Sequence, residues 1–252
     1  MWHSQGIELT TREDINTAAL MLILLLLAGC ATQPTMAPAP IADNLVQDAD
    51  MARQGWWYLR FRLDWPEGAQ PAWHRDVLIA DQVIRPILAD NREAISLWRF
   101  HRRAVRDAAG HQFSFIFRSP ASTAAKVYKQ VGASPIAARL KRRGTLESIG
   151  YDDLRQLQRP DITDTSDQAW SRHMQAAWPA FIMGVSQLWL NLIEQIGRDG
   201  DWPRGLDARY RAIDASLNAI WRREGSHALL HHLNALFAYR PVIVTTRAPM
   251  RF

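Results

Sequence analysis

The sequence predicts an α+β fold in which a β-α-β-β-α-β sheet unit is followed by a layer of helices. Three observations predict it. Segments of period-two alternation and segments of helical spacing succeed one another in that order between Trp56 and Tyr151. Beyond Asp167 the spacing is helical almost to the end. Ahead of both lies an apolar run closed by the only cysteine in the chain, then a stretch rich in proline and alanine.

In "WWYLRFRLDW", Trp57, Leu59, Phe61, Leu63 and Trp65 fall on one side and Tyr58, Arg60, Arg62 and Asp64 on the other, the pattern of a strand with one buried face. Residues 75–94 set Leu78, Asp81, Ile84 and Leu88, with Val77, Ala80 and Ile87, in a helical stripe that Pro86 kinks. "ISLWRFHRRAV" and "HQFSFIFRS" read as two strands joined through "RDAAG", where Gly110 suits a tight turn. A helix from Ser122 to Val131 ends at Gly132, a second starts at Ser134-Pro135 and stops at Gly144, and "TLESIGY" is the fourth strand. This order is that of a ferredoxin-like sandwich, an antiparallel sheet with helices on one face. A helix over Asp167–Ile196, interrupted at Pro179, then helices over 206–223 and 226–239 and a late strand at "PVIVTT", form the added layer.

One thiol in 252 residues excludes an internal disulfide, so Cys30 has another use. The run from Ala18 to Leu27 has the length of a signal-peptide core and is too short to span a bilayer. Leu27-Ala28-Gly29-Cys30 resembles the lipobox of bacterial lipoproteins. The resemblance implies cleavage before Cys30 and acylation of its thiol and amine, and several acyl chains give stable anchoring. Ala31, where lipoproteins retained in the inner membrane have aspartate, implies a periplasm-facing place on the outer membrane. The expected organisation is a signal peptide at 1–29, a flexible tether at 30–54 and a single domain at 55–252, with a ferredoxin-like part to 160 and a mainly helical part from 161.

The net charge of +5 rises to +7 without residues 1–29, and all but three of the 30 basic residues are arginine. No zinc-finger, helix-turn-helix or RNP motif accompanies them, so nucleic acid is not an expected partner. The expected partners are the bilayer, through acylated Cys30, and an acidic ligand, an anionic lipid or a protein. No phosphate loop, nucleophile elbow or CxxC pair occurs, and neither a cofactor nor a metal is expected. His227 and His231 stand four apart, but without the glutamate of HExxH. His111, after Gly110, reads as a hydrogen-bonding residue beside a turn.

The strand "WYLRFRL", the helix ending "VIRPIL", the strand "LWRFHRR", the turn with Gly-His, "FSFIFR" and the late "LLHHLNALF" are similar in order to the C-terminal domain of thiopeptide-type bacteriocin biosynthesis proteins. That domain is akin to the elimination domain of lantibiotic dehydratases. The resemblance implies glutamate elimination, with Arg102 and Arg118 binding the departing carboxylate and His232, two before Asn234, as the histidine of the helix. Asn234, set among Leu229, Leu230, Leu233, Leu236 and Phe237, reads as an amide tying its helix to the sheet, with ligand binding as the alternative. The expected function is therefore a membrane-anchored envelope lipoprotein that binds or assembles through an Arg- and Trp-rich surface. The alternative is a lyase or hydrolase related to the elimination domain. If Arg102 and Arg118 share an anion, they must face one side of the sheet.

Overall fold

The computed structural model describes residues 51–241. Cys30, the apolar run before it and the "VIVTT" strand lie outside the described residues. The alternating segments form β1 (Gln54–Leu63), β2 (Leu97–Ala104), β3 (His111–Pro120) and β4 (Leu146–Tyr151). They join in the order β2-β3-β1-β4, with every pairing antiparallel. Gly110 closes the β2–β3 hairpin at φ 61°, in the left-handed region that glycine enters without penalty. Asp107 holds that turn by accepting the N–H groups of Ala109 and Gly110.

Alternation then decides what the sheet buries. Trp57, Leu59 and Phe61 pair with Phe117, Phe115 and Phe113, which pair in turn with Trp98, Phe100 and Arg102, so these residues share one face. Two helical crossovers cover that face. The first comprises α1 (His74–Ile79), a wide π turn (Ala80–Ile84) and α2 (Arg85–Asp90); the second comprises α3 (Ala121–Gly132) and α4 (Pro135–Arg142). The kink expected at Pro86 takes the form of that π turn, which contains Gln82, the residue whose carbonyl the proline ring would crowd. Ser134 caps α4 by accepting the Ala137 N–H.

The opposite face is not open. After β4 the chain runs back along β1, where Trp56 N–H donates to Arg159 O, and then crosses beneath the sheet. The Trp56 indole donates to the carbonyls of Asp161 and Ile162, so this ring is buried although it points away from the core. Asp152 pins the strap by accepting Tyr58 N–H, Arg60 and Arg159. A side chain at Gly55 would collide with Leu157. The strand has the one buried face expected, at Trp57, Leu59, Phe61 and Leu63, and the strap adds Trp56 on the other, while Trp65, expected on the core face, lies past the end of β1 with its indole bonded to Ala69 O.

The helical layer consists of α5 (Arg172–Asp199), α6 (Leu206–Gly225), a second π turn (Ser226–His231) and α7 (His232–Leu236). The interruption expected at Pro179 does not occur: α5 runs through it. The missing N–H of Pro179 frees the carbonyl of Gln175, and the Ser166 hydroxyl of the strap donates to that carbonyl at 2.8 Å. Along the outer edge of β2, Phe100 N–H donates to Ser186 Oγ of α5, which covers part of an otherwise unpaired edge. Helix α6 packs on α1 through Tyr210, Ile213 and Leu217, all buried. Polar pairs join the helical layer to the first crossover: His74 of α1 with Asp207 of α6 at 2.8 Å, Asp81 of the π turn with Tyr210 of α6, and Arg85 of α2 with Glu194 of α5 at 2.8 Å.

Candidate functional site

The residues singled out in the sequence do not come together. Arg102 lies on the core face of β2, opposite Phe113, whereas Arg118 lies opposite Leu97, on the other face and five positions along the ladder. Arg118 reaches only Gln54 and Pro160 O, both at 3.4 Å, at the end of the strap. The shared anion clamp is therefore not formed, because strand alternation sends the two guanidinium groups to opposite sides of the sheet. His232 is exposed on α7, its ring edge-on to those of His227 and His231. Asn234 is exposed as well, and its helix has no buried residue, so the amide does not tie α7 to the sheet. Its main-chain carbonyl accepts Phe237 and Tyr239 N–H and closes the helix. Among the described residues no three histidine, cysteine or acidic side chains are grouped to hold a metal.

A different constellation has formed around Arg102. Asp76, fully buried on α1, accepts Arg102 Nε at 2.8 Å, and Trp73 O accepts an Arg102 Nη at the same distance. His111 flanks the turn as expected, but its ring nitrogens make no hydrogen bond among the described residues. It opens β3 on the core face, fully buried, its ring edge-on to Trp73 and its Nε2 3.0 Å from Asp76 Oδ1 but out of line for a hydrogen bond. Buried charge of this kind persists only when paired, and the Arg102–Asp76 pair supplies that. The guanidinium also lies between the rings of Trp73 and Trp189, at 5.2 and 5.1 Å from their centres.

Arg102 stands where two concavities meet. On one side a groove of about 500 Å³ runs between α5 and α6, with Phe100 and His101 of β2 among its lining. Its walls are apolar: Ile182, Val185 and Leu192 on α5, Leu217, Ile220 and Trp221 on α6. On the other side a shallower cleft of about 650 Å³ is bordered by Gln70, His74, Arg211 and Arg222. Arg102 and Trp73 line a passage with Asp214 and Asn218, and these last two line both concavities. Burial raises the pKa of Asp214 above the ordinary carboxylate value, while Arg102 and His74 pull it down and Asp76 pushes it up. Burial likewise pushes the pKa of His101 down, helped by the charges of Arg99 and Arg103. Arg102 is already paired with Asp76, so the cation at the junction is matched within the fold.

Sequence reasoning passed over Asp76 and Asp214 and read His111 only as a hydrogen-bonding residue beside a turn. A signal for the first was present: Asp76 is in phase with Ala80, Val83 and Ile87, all buried, and a carboxylate on such a stripe requires a cation. No family model matches this chain, and neither a curated protein nor a solved structure matches it. The functional reading therefore rests on the geometry of the chain itself.

Proposed function

We propose that this chain is an envelope lipoprotein, anchored by acylated Cys30 at the periplasmic side of the outer membrane, whose body binds an amphiphile: an acyl chain in the α5–α6 groove and its neutral polar end at Arg102, Asp214 and Asn218. The observation that carries the reading is an apolar groove that ends on a polar junction. Its volume is in the range of small-molecule sites, where apolar walls supply affinity and a few polar groups set orientation. A carboxylate head is disfavoured, because Arg102 already faces Asp76 and lies 3.9 Å from Asp214. A hydroxyl, ester or amide head can instead hydrogen-bond to Asp214 and Asn218. The sheet is read as ferredoxin-like, and the order β4-β1-β3-β2 with crossovers after β1 and β3 supports that.

Two measurements test the proposal. A fluorescent monoacylglycerol should bind the purified protein and be displaced by unlabelled monoacylglycerol, and Val185→Trp, which fills the groove, should abolish binding at an unchanged melting temperature. Binding that survives this substitution would move the site elsewhere. Metabolic labelling with a palmitate analogue should mark the wild type and miss Cys30→Ser; equal labelling would remove the anchor.

A further inference from the structure

We infer that the arm from Trp221 to Tyr239 is a bilayer-contact surface that lays its apolar side on an anionic lipid leaflet beside the mouth of the groove. The inference rests on the lipid-anchored, amphiphile-binding reading above. No side chain between Ser226 and Leu236 is buried. Leu230 and Leu236 are 54% and 83% exposed, Phe237 is 66% exposed, and Trp221 and Tyr239 at the two ends are exposed as well. So much clustered apolar surface on an otherwise well-packed body marks a contact with something other than water.

The composition of the arm identifies the contact. Arg222 and Arg223 within the arm, and Arg240 directly after it, stand against the single acid Glu224, so this surface is cationic without help from its three histidines. Leucine and phenylalanine with arginine, bounded by a tryptophan and a tyrosine, is the pattern of a segment lying in a membrane interface: the apolar groups enter the acyl boundary, the rings sit at headgroup depth and the arginines meet anionic headgroups. A protein partner would not require that charge, whereas an anionic leaflet does. Position agrees with composition. Trp221, Ala228 and Leu229 of this arm also line the groove, so a chain leaving the leaflet enters the groove without crossing water. Cys30 precedes β1 by 24 residues, which holds the body within ~80 Å of the leaflet that carries the anchor.

The test uses the only cysteine. Acylation blocks Cys30, so in the lipoprotein Leu236→Cys or Phe237→Cys introduces the one reactive thiol, and Lys141→Cys, an exposed position on α4, serves as the control. Each variant is labelled with an environment-sensitive fluorophore and reconstituted into vesicles of phosphatidylethanolamine and phosphatidylglycerol. Positions 236 and 237 should emit to the blue of position 141 and be quenched by doxyl-labelled lipid, with a smaller shift in phosphatidylcholine. Water-like emission from 236 and 237 in the vesicle-bound protein overturns the inference. So does a shift that follows protein concentration rather than lipid, which would assign the arm to a second copy of the chain. Uptake of the label by the wild type would show a free Cys30 and reject the anchor; the same assay in a Cys30→Ser background then still reads the arm.

Discussion

The sheet half and the helical half of this protein treat apolar residues in opposite ways. From β1 to α4 the large apolar side chains are enclosed: Trp57, Leu59, Phe61, Phe113, Phe115 and Phe117 are each at most 1% exposed. From α5 onward they are divided. Leu190, Ile193, Tyr210, Ile213 and Leu217 join the common core, while Met174, Phe181, Leu188, Trp221, Leu230 and Leu236 stay in solvent. Helix α5 is apolar enough to span a membrane by length and composition, with mean hydropathy 1.3, yet Ser186, Leu190 and Ile193 fasten it to the body. The difference separates two uses of hydrophobicity. The sheet half spends its apolar surface on folding, and the helical half leaves part of it exposed.

Substitutions can break or sharpen this contrast. The largest effect is expected in the sheet. Phe115, fully buried and stacked on Phe117 with centroids 5.0 Å apart, also meets Trp98 and Phe100. Phe115→Ala should cost ~3–5 kcal/mol in denaturant unfolding, from lost transfer energy and the cavity left behind. The buried ion pair between α1 and β2 comes next. Asp76→Ala leaves Arg102, 27% exposed on its side chain, without its carboxylate and Arg102 still beneath the layer, and should cost ~3 kcal/mol. A loss below ~1 kcal/mol would mean that the Arg102–Asp76 pair does not hold α1 on the sheet.

How far the sequence could be read follows the same division. The sequence pattern located the four strands and the helices of the described residues; from β1 to α6 this is because one face of each segment is committed to the core, whereas the second π turn and α7 show helical spacing but bury no residue. The burial of Trp56 was not legible, since it depends on a strap a hundred residues later whose carbonyls accept the indole. Pro179 read as a break because the rescue of Gln175 O by Ser166 is a tertiary contact. The site was the least legible. Arg102 was singled out as half of an anion clamp, which strand alternation does not form. Its partners Asp76 and Asp214 come from helices on either side of it in the sequence, and only the packing of α1 and α6 brings them together.

A smaller effect belongs to Asp214. Because burial raises its folded pKa, the folded chain keeps this proton to higher pH than the unfolded chain. Stability from this group is therefore fully present below the unfolded carboxylate value and is lost as pH rises through the raised one. Asp214→Asn should flatten that fall and raise the melting temperature at neutral pH, while weakening the polar end of the proposed ligand site. A steeper fall in the variant would show that the attraction to Arg102 outweighs burial.

The smallest effect on folding should come from Leu236→Ser and Phe237→Ser, and it is the sharpest test of the contrast. In the sheet half, changing two large apolar residues to serine would unfold the domain. Here both side chains are mostly in solvent, neither lines the groove, and the hydrogen bonds that close α7 are main-chain ones, from Phe237, Ala238 and Tyr239 N–H to the carbonyls of Asn234 and Ala235. Serine preserves those bonds. The double substitution should thus leave the urea midpoint within the ~0.5 kcal/mol typical of surface changes. A loss of several kcal/mol would mean that these residues are buried by the chain itself in solution. The apolar arm would then belong to the folding half of the comparison, and the helical layer would have no surface held in reserve.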